Sequence, residues 1–225
     1  MNHGGSPVRT YDAFVSASGA CDMTAPSDVP YETQAYDALE RPVTTTDATE
    51  RVYGTRSTMR VQYGPLTKTR FDAEDTEAGS AYANTPLVET SDGLGRVVSM
   101  VRDLGAGVTE RTTLDYDSLG RLVRVTAPDG TEHTQSFDLL GRVLTAADPD
   151  RGMMRFVHDR EGRIVERTDG RGERVAMAYD GLGRPVAQWD PTAEAATRTE
   201  TTYDEDPGCA SCTNGAGRID RRAHV

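Results

Sequence analysis

The chain has 225 residues, enough for one or two ordinary domains, but Leu, Ile, Val and Phe together make up only 37 of them. That share, about 16 %, lies below the ~20 % expected of a globular chain, so it excludes a large filled core and leaves disorder or a thin, turn-rich β structure. The net charge of −11 argues against a nucleic-acid partner, because such a surface needs clustered Lys and Arg to neutralise phosphates.

Residue usage favours strands and turns over helices. Val outnumbers Leu, nine Tyr residues accompany many Thr residues, and the 22 Gly and 11 Pro residues are typical of a chain that turns often. No stretch approaches the roughly 20 consecutive apolar residues of a membrane span. Residues 1–20 also lack the apolar middle of a signal peptide. We therefore expect no membrane-spanning segment.

Residues 1–83 show no clean period, and we predict a divergent β-rich segment there. Its one recognisable motif is Tyr36-Asp-Ala-Leu-Glu-Arg-Pro-Val43, which reappears downstream with a glycine in place of the glutamate. The segment is therefore predicted to hold one degenerate copy of a repeat. Cys21 has no histidine nearby in the sequence, so it is not predicted to be a nucleophile.

Residues 84–203 are predicted to form a repeat array. Copies of the motif, each with Asp second, Gly fifth and Arg sixth, begin at Ser91, Tyr116, Phe137, His158 and Tyr179. The last four starts are spaced 21 residues apart, while Ser91 precedes Tyr116 by 25 residues, so insertions fall between units. Self-similarity at a fixed period indicates repeated supersecondary units that stack on one another.

The spacing within the motif predicts a hairpin turn. The Asp carboxylate can accept hydrogen bonds from backbone N–H groups two residues on, and the Gly supplies the positive φ that closes a short loop. Asp117 and Arg121 should then face each other across the hairpin mouth, as should the equivalent pairs in later repeats. We expect such an exposed pair to fix the register more than it adds stability. The ring before the Asp should pack on the sheet.

Second turns rich in Pro, Asp and Gly alternate with these motifs. Asp148, Asp169 and Asp190 open three of them, again 21 residues apart. The segments between turns, such as 122–126 and 131–137, are five to seven residues long, which suits strands and is too short for helices. The sequence therefore predicts an all-β fold of tandem antiparallel β-hairpins, one for about every 21 residues.

No set of residues predicts a catalytic, cofactor or metal site. Cys209 and Cys212 have the spacing of half a zinc site or of a redox pair, but they lack further ligands and a strand–helix context. That favours a loop whose two thiols can bond to each other. His133 is expected to be a solvated strand residue, and His158 a packing substitute for the Tyr or Phe of other repeats. The segment from Asp148 has too few oxygen ligands for calcium.

The Tyr-Asp-x-x-Gly-Arg-Leu/Val unit resembles the YD repeats of Rhs-family proteins. Within that family, residues 84–96 and 214–218 are similar to the B component of insecticidal toxin complexes, and the resemblance covers roughly residues 84–218. It implies a sheet that spirals into a hollow shell, with residues 204–225 as a truncated partial repeat. The aspartate signature of self-cleaving Rhs cores has no convincing copy, so neither an autoprotease nor any other enzyme is predicted.

The resemblance also implies a secreted or cell-surface protein. Its partners would be the remainder of the shell and an enclosed toxin segment, and its function would be containment of that segment for delivery. The alternative is an extracellular carbohydrate- or protein-binding module, since the teneurins use such a shell for adhesion and aromatic side chains stack on sugars. A hydrolase grafted onto the array is a third interpretation, which no motif supports.

Overall fold

The computed structural model describes residues 8–11, 31–47, 58–203 and 219–224, the last range by its backbone alone. The chain divides into two compact units, residues 1–114 and 115–225, and each is considered by itself. Strands account for most of the described residues, and the two helices among them are four residues long. The predicted all-β class is confirmed.

The first unit consists of strands and one helical turn in its described part. These are β1 (Val8–Tyr11), β2 (Tyr31–Tyr36), β3 (Pro42–Thr46), β4 (Thr58–Tyr63), β5 (Thr67–Phe71), α1 (Ala73–Thr76), β6 (Leu87–Ser91), β7 (Val97–Asp103) and β8 (Thr109–Tyr116). The last two residues of β8 belong to the second unit. Periodicity alone did not predict β4, β5 or α1.

The described part of the second unit also consists of strands and one helical turn, in a more regular order. Its described elements are β9 (Leu122–Thr126), β10 (Glu132–Phe137), β11 (Val143–Asp148), β12 (Gly152–His158), β13 (Ile164–Thr168), β14 (Arg174–Tyr179), β15 (Pro185–Trp189), α2 (Glu194–Thr197), β16 (Thr199–Tyr203) and β17 (Ile219–His224). The two segments predicted to be strands, 122–126 and 131–137, coincide with β9 and β10 to within one residue.

Strands that follow each other in the chain pair with each other in antiparallel fashion. The ladder runs from β1 to β8 in the first unit. In the second unit it runs from β9 to β17. Interstrand hydrogen bonds in such a ladder satisfy the backbone without a large core. The predicted tandem hairpins are confirmed.

The register slips by one residue at the motif turns. In the hairpin of β14 and β15, Ala178 pairs with Ala187, whereas the adjacent Tyr179 pairs with Pro185 and leaves Val186 without a partner across the ladder. The same irregularity precedes the first residue of the motif at Tyr36, Ser91, Phe137, His158, Tyr179 and Tyr203. A β-bulge strengthens the local twist, so the sheet gains extra twist at each of these six positions.

Little apolar surface is fully buried. The buried apolar residues among those described are Phe71 in the first unit and Ala176 and Ala187 in the second. This agrees with the small share of Leu, Ile, Val and Phe in the sequence. Because hydrophobic stabilisation scales with buried apolar area, turn contacts and cross-strand pairs must contribute much of the stability.

The connection between β5 and β6 departs from the repeat. It contains α1, whose first turn is closed by a capping box: Oδ1 of Asp72 accepts from the backbone N–H of Asp75, and Oδ2 of Asp75 accepts from that of Asp72. The other oxygen of Asp75 accepts hydrogen bonds from the N–H and the hydroxyl of Thr85. These bonds satisfy a carboxylate that is only 6 % exposed.

Second turns pack against each other in the second unit. A Cβ atom on Gly170 would lie 2.2 Å from the carbonyl oxygen of Arg151 and 2.8 Å from the Cα of Gly152. Only glycine allows the backbone of one second turn to approach the preceding one so closely. The contact contributes to the constant spacing of the repeats.

Candidate functional site: the Asp–Arg turns

One carboxylate organises each motif turn. We call these turns the Asp–Arg turns; they are residues 37–41, 92–96, 117–121, 138–142, 159–163 and 180–184. In turn 117–121, Oδ1 of Asp117 accepts hydrogen bonds from the backbone N–H groups of Leu119 and Arg121, both at 2.9 Å. Its Oδ2 accepts one from Nε of Arg121 at 2.6 Å. The Nε–Oδ2 bond recurs in all six turns.

The Asp–Arg pair is confirmed, but it is less exposed than we expected from the sequence. The side chains of Asp117 and Arg121 are 22 % and 25 % exposed, and their bond lies between a turn backbone and the neighbouring repeat. Solvent and salt weaken a partly buried ion pair less than a fully exposed one. The planar guanidinium also holds the carboxylate in one orientation. The pair therefore acts as a rigid part of the turn.

The predicted positive φ of the motif glycine is also confirmed. Gly120 and Gly141 have φ values of +82° and +84°, and each donates its N–H to the carbonyl of the turn aspartate. In the degenerate copy, Glu40 adopts the same left-handed conformation with φ of +59°. The turn thus keeps its shape without glycine, at the cost of backbone strain at Glu40.

Three of these arginines also reach into the following repeat. Nη1 of Arg121 donates to the carbonyl oxygen of Asp138 at 2.7 Å, and Nη1 of Arg142 donates to that of Asp159 at 2.8 Å. Arg163 makes the same contact with Asp180 at 3.3 Å. Donor and acceptor lie 17 residues apart in every case, so the contact binds successive turns together. The sequence did not predict it.

Aromatic rings complete this connection. The guanidinium of Arg121 lies 4.8 Å from the ring centre of Phe137, that of Arg163 lies 5.0 Å from Tyr179, and that of Arg184 lies 4.5 Å from Tyr203. These are cation–π distances. In these three cases the ring at the first motif position packs on the arginine of the preceding repeat. We call the resulting series of contacts, from arginine to its own aspartate and to the next ring and carbonyl, the Asp–Arg relay.

Hydrogen bonding keeps the turn carboxylates ionised. At Asp117 the backbone N–H of Arg121 lowers the pKa most, partial burial opposes it, and the guanidinium adds to the lowering. Asp138 and Asp180 have lowered pKa values for the same reasons. At Asp159 partial burial is the largest single effect and raises the pKa, but the hydrogen bonds from Arg163 outweigh it. Charge-assisted hydrogen bonds favour the ionised form in each case.

The histidines have the positions that we predicted. His133 is half exposed on β10, with Nδ1 3.3 Å from Oδ2 of Asp148. His158 occupies the ring position of its repeat, and its buried Nδ1 has no hydrogen-bond partner among the residues that the structure describes. Cys21, Cys209 and Cys212 lie outside the described residues. Within the described ranges, no cluster of three or more His, Cys, Asp or Glu side chains could hold a metal ion.

A cleft of about 650 Å³ lies in the first unit beside α1. Its lining includes the exposed ring of Tyr82, the side chains of Met59 and Leu87, and the guanidinium groups of Arg70 and Arg102. Leu87 pairs with Arg102 on β7 and with Arg70 on β5, so the three side chains share one face of the sheet. The sequence did not indicate this cleft, because the insertion that borders it breaks the repeat.

Comparison with known proteins agrees with this geometry. The family model described as RHS Repeat matches residues 116–153 and 158–195, which contain all four Asp–Arg turns described in the second unit. These two segments are RHS repeats. The YD repeats there are the hairpins described above, and the predicted resemblance to the Rhs/YD-repeat family is confirmed. No curated protein sequence matches the chain.

Solved structures share the fold of this YD-repeat chain. The TcdB2-TccC3-TEV structure has 22 % identity and a TM-score of 0.74 and covers 99 % of this chain. The TcdB2-TccC3 structure has 21 % identity and a TM-score of 0.66 over 78 %. A Tc holotoxin pore of Photorhabdus luminescens has 20 % identity and a TM-score of 0.64 over 77 %. The chain spans 12 %, 9 % and 9 % of those chains, respectively.

The described helices of this YD-repeat chain are too short and too polar to cross a membrane. The relay consists of contacts within a turn and of contacts to the next repeat. What the arrangement can do chemically is hold successive hairpins at a fixed separation and angle.

Proposed function

We propose that this chain is a structural section of a shell wall that encloses a toxin or effector segment for delivery. Its partners would be the remainder of the YD-repeat array and the enclosed polypeptide, in a secreted or cell-surface protein. The observation that carries the proposal is the Asp–Arg relay, which fastens each hairpin to the next without a filled core.

A wall needs a sheet that stays intact although little of it is buried. The relay provides this stability locally, because Arg121, Arg142 and Arg163 are each bonded to the aspartate of their own turn and to a backbone carbonyl 17 residues away. The likeness to the TcdB2-TccC3 fold over almost the whole chain supports the same interpretation. Containment itself is our inference from the family resemblance.

Protease protection tests the proposal in the complete gene product that contains this chain. We expect native protein to protect an internal segment from proteolysis, and mild denaturant to expose it. A variant combining Arg121→Ala, Arg142→Ala and Arg163→Ala removes the relay and should expose the segment at a lower protease concentration. The matched control is Arg171→Ala, since Arg171 is 76 % exposed and, within the described ranges, forms ion pairs only in its own second turn.

The opposite result would be equally clear. If native protein protects no segment beyond the array itself, or if protection is the same with the relay removed, the chain is not a containing wall. Folding of each variant should be verified by circular dichroism, so that a general loss of structure is not mistaken for opening of the wall.

A second candidate function is carbohydrate binding, favoured by the cleft in the first unit. An exposed tyrosine ring beside guanidinium and carboxylate groups can stack on a sugar face and bind its hydroxyls. The test is a glycan-array screen followed by calorimetry with Tyr82→Ala, and with the exposed Leu66→Ala outside the cleft as control. This candidate is wrong if the unaltered chain binds no glycan. It is also wrong if Tyr82→Ala binds the glycan as tightly as the unaltered chain does.

A further inference from the structure

Exposed leucines recur at one position of the Asp–Arg turns. The third residue of the turn is Leu119, Leu140 or Leu182 in three turns of the second unit, with exposures of 66 %, 77 % and 79 %. We call these three the tip leucines. In the first unit, Leu39 and Leu94 hold the same position and are also exposed. A single exposed leucine is ordinary, but five at equivalent positions require an explanation.

The turn itself does not require a leucine there. In turn 159–163 the position is held by Glu161, and the turn geometry is unchanged. Arg163 donates its backbone N–H to Oδ1 of Asp159 at 2.8 Å and its Nε to Oδ2 at 2.6 Å, and Gly162 has φ of +88°. Since glutamate builds the same turn, folding of the hairpin does not explain the leucines. A surface that covers them would.

The tip leucines lie in a row. Because consecutive strands of the second unit form antiparallel hairpins, all its Asp–Arg turns project from one rim of the sheet and its second turns from the other. Neighbouring Asp–Arg turns are two strands apart, which is about 10 Å. The bond from each tip leucine N–H to its turn aspartate, 2.9 Å long, fixes the backbone of the tip. The row is therefore regular and rigid.

The two rims differ in charge as well as polarity. On the Asp–Arg rim, each turn carboxylate is bonded to the arginine of its own turn. On the second rim, the tips are polar, and Asp129, Asp150 and Asp190 form no ion pair with an arginine in the part of the chain that the structure describes. Two copies of the second rim would repel each other, whereas two copies of the Asp–Arg rim can meet without net repulsion.

The geometry points to the Asp–Arg rim as a self-association surface, whose partner is the same rim of a second copy of this chain. The gap of about 10 Å between neighbouring tips admits one leucine side chain from the partner with apolar contacts near 4 Å on either side. A two-fold contact of this kind uses the same patch on both copies and closes on itself. It goes beyond the proposed wall function and does not depend on it.

The contact should be weak and reversible. A few leucine side chains bury much less than the roughly 800 Å² per partner of a stable interface, so dissociation constants in about the micromolar range or above are expected. Because the tips must engage together, the loss of one tip should have a large effect on the others.

Sedimentation equilibrium of the 225-residue chain tests the proposal. We expect a concentration-dependent dimer. Leu140→Glu, which copies the residue found naturally at position 161, should lower the association constant at least about tenfold without changing the melting temperature. Glu161→Leu completes the row and should raise the constant by about the same factor. Met153→Glu is the control, because Met153 is an exposed apolar residue of β12 outside the Asp–Arg rim.

Three results would overturn the proposal. The chain could remain monomeric at every concentration, even with Glu161→Leu. Association could be the same in the unaltered chain, Leu140→Glu and Glu161→Leu, which would indicate pairing through open strand edges. Open-ended polymers in place of a closed dimer would indicate contact between unlike rims. A dimer that Leu140→Glu weakens and Glu161→Leu strengthens, with Met153→Glu unchanged, supports it.

Discussion

The two oxygens of a turn aspartate have different partners, and that division explains why the residue is aspartate. Oδ1 of Asp117 accepts hydrogen bonds from two N–H groups of the turn, while Oδ2 accepts one from the arginine side chain. An asparagine could supply one acceptor oxygen but would present an amide N–H₂ donor to the guanidinium. The motif glycine serves the other need of the turn, a backbone conformation with positive φ.

Gly141 allows the backbone requirement to be tested without a steric clash. A Cβ atom there would meet no atom within 4 Å, but φ is +84°. Gly141→Val should lower the free energy of unfolding by about 1–3 kcal/mol through strain alone. Gly181 occupies equally open space without a positive φ, so Gly181→Val should cost much less. Equal effects in chemical denaturation would contradict the assigned turn.

Glu40 allows the opposite experiment. It is one of the few non-glycine residues with positive φ among those described, and it lies where other repeats have glycine. Glu40→Gly should raise the free energy of unfolding by about 0.5–1 kcal/mol, because relief of strain exceeds the greater entropy lost by glycine on folding. Thermal melting measures the change. A loss of stability would show that the Glu40 side chain contributes more than its backbone costs.

At the scale of the element, the relay makes one hairpin depend on the next. Arg121 bonds to Asp117 and Asp138 and stacks on Phe137, so it connects two turns and a ring. Lysine keeps the charge but loses the planar fork that makes these contacts simultaneously. The relay therefore predicts that arginine and lysine are not equivalent in these turns.

Arg121→Lys should lower the free energy of unfolding by about 1–2 kcal/mol, from one lost hydrogen bond and the weaker ring contact. Arg171→Lys is the matched control, since Arg171 is mostly exposed and pairs only with Asp169 and Glu173 of its own turn. We expect a change of at most about 0.5 kcal/mol there. Urea unfolding in which both variants behave alike would refute the connecting role.

The α1 insertion depends on Asp75 in the same way. Three donors converge on its buried carboxylate. Asp75→Ala would deprive the backbone N–H groups of Asp72 and Thr85 of this acceptor, while the Thr85 hydroxyl keeps the carbonyl of Tyr82, and the change should cost about 2–3 kcal/mol. Glu74→Ala changes an exposed neighbour in the same helical turn and should cost little. Hydrogen exchange of the Thr85 amide provides a local readout. Unchanged protection in Asp75→Ala would show that the insertion is held by other contacts.

At the scale of the whole molecule, the repeated carboxylates predict sensitivity to acid. The pKa values of the turn aspartates are lowered from 3.8 in the folded state, at Asp117 chiefly by the backbone N–H of Arg121. A carboxylate whose pKa is lower in the folded than in the unfolded state stabilises the fold. That stabilisation is fully present at pH values above the pKa of the unfolded state, and it is lost as the pH falls through the pKa of the folded state. We expect the melting temperature to hold above about pH 5 and to fall progressively below about pH 4.

The number of repeats should make that fall steep. Asp138 and Asp180 have lowered pKa values for the same reason as Asp117, so several protons are taken up together on unfolding. Asp138→Asn should reduce the slope of melting temperature against pH, while the slope above pH 5 stays flat. A melting temperature that is constant from pH 6 to pH 2.5 would contradict this account.

The spacing of Asp, Gly and Arg sufficed to place the turns, the strands between them and the antiparallel order, because those features are satisfied within a few residues along the chain. The same local logic failed for residues 58–86, where β4, β5 and α1 follow no repeat. It also failed for the second set of bonds made by each arginine. The motif shows that an arginine with five N–H donors is present. It does not predict which backbone carbonyl of a neighbouring strand will lie within hydrogen-bonding distance.

The sequence by itself thus determined where this chain turns, since an aspartate and a glycine at fixed spacing leave the backbone few alternatives. The tertiary structure alone decided how the turns are connected. Arg121 contacts Phe137 and the carbonyl of Asp138 because the two intervening strands, β9 and β10, form a hairpin that brings the next turn beside it. Burial of Asp75 was decided in the same way, by donors ten residues away from it. Such contacts depend on distances through space, which the order of residues does not state.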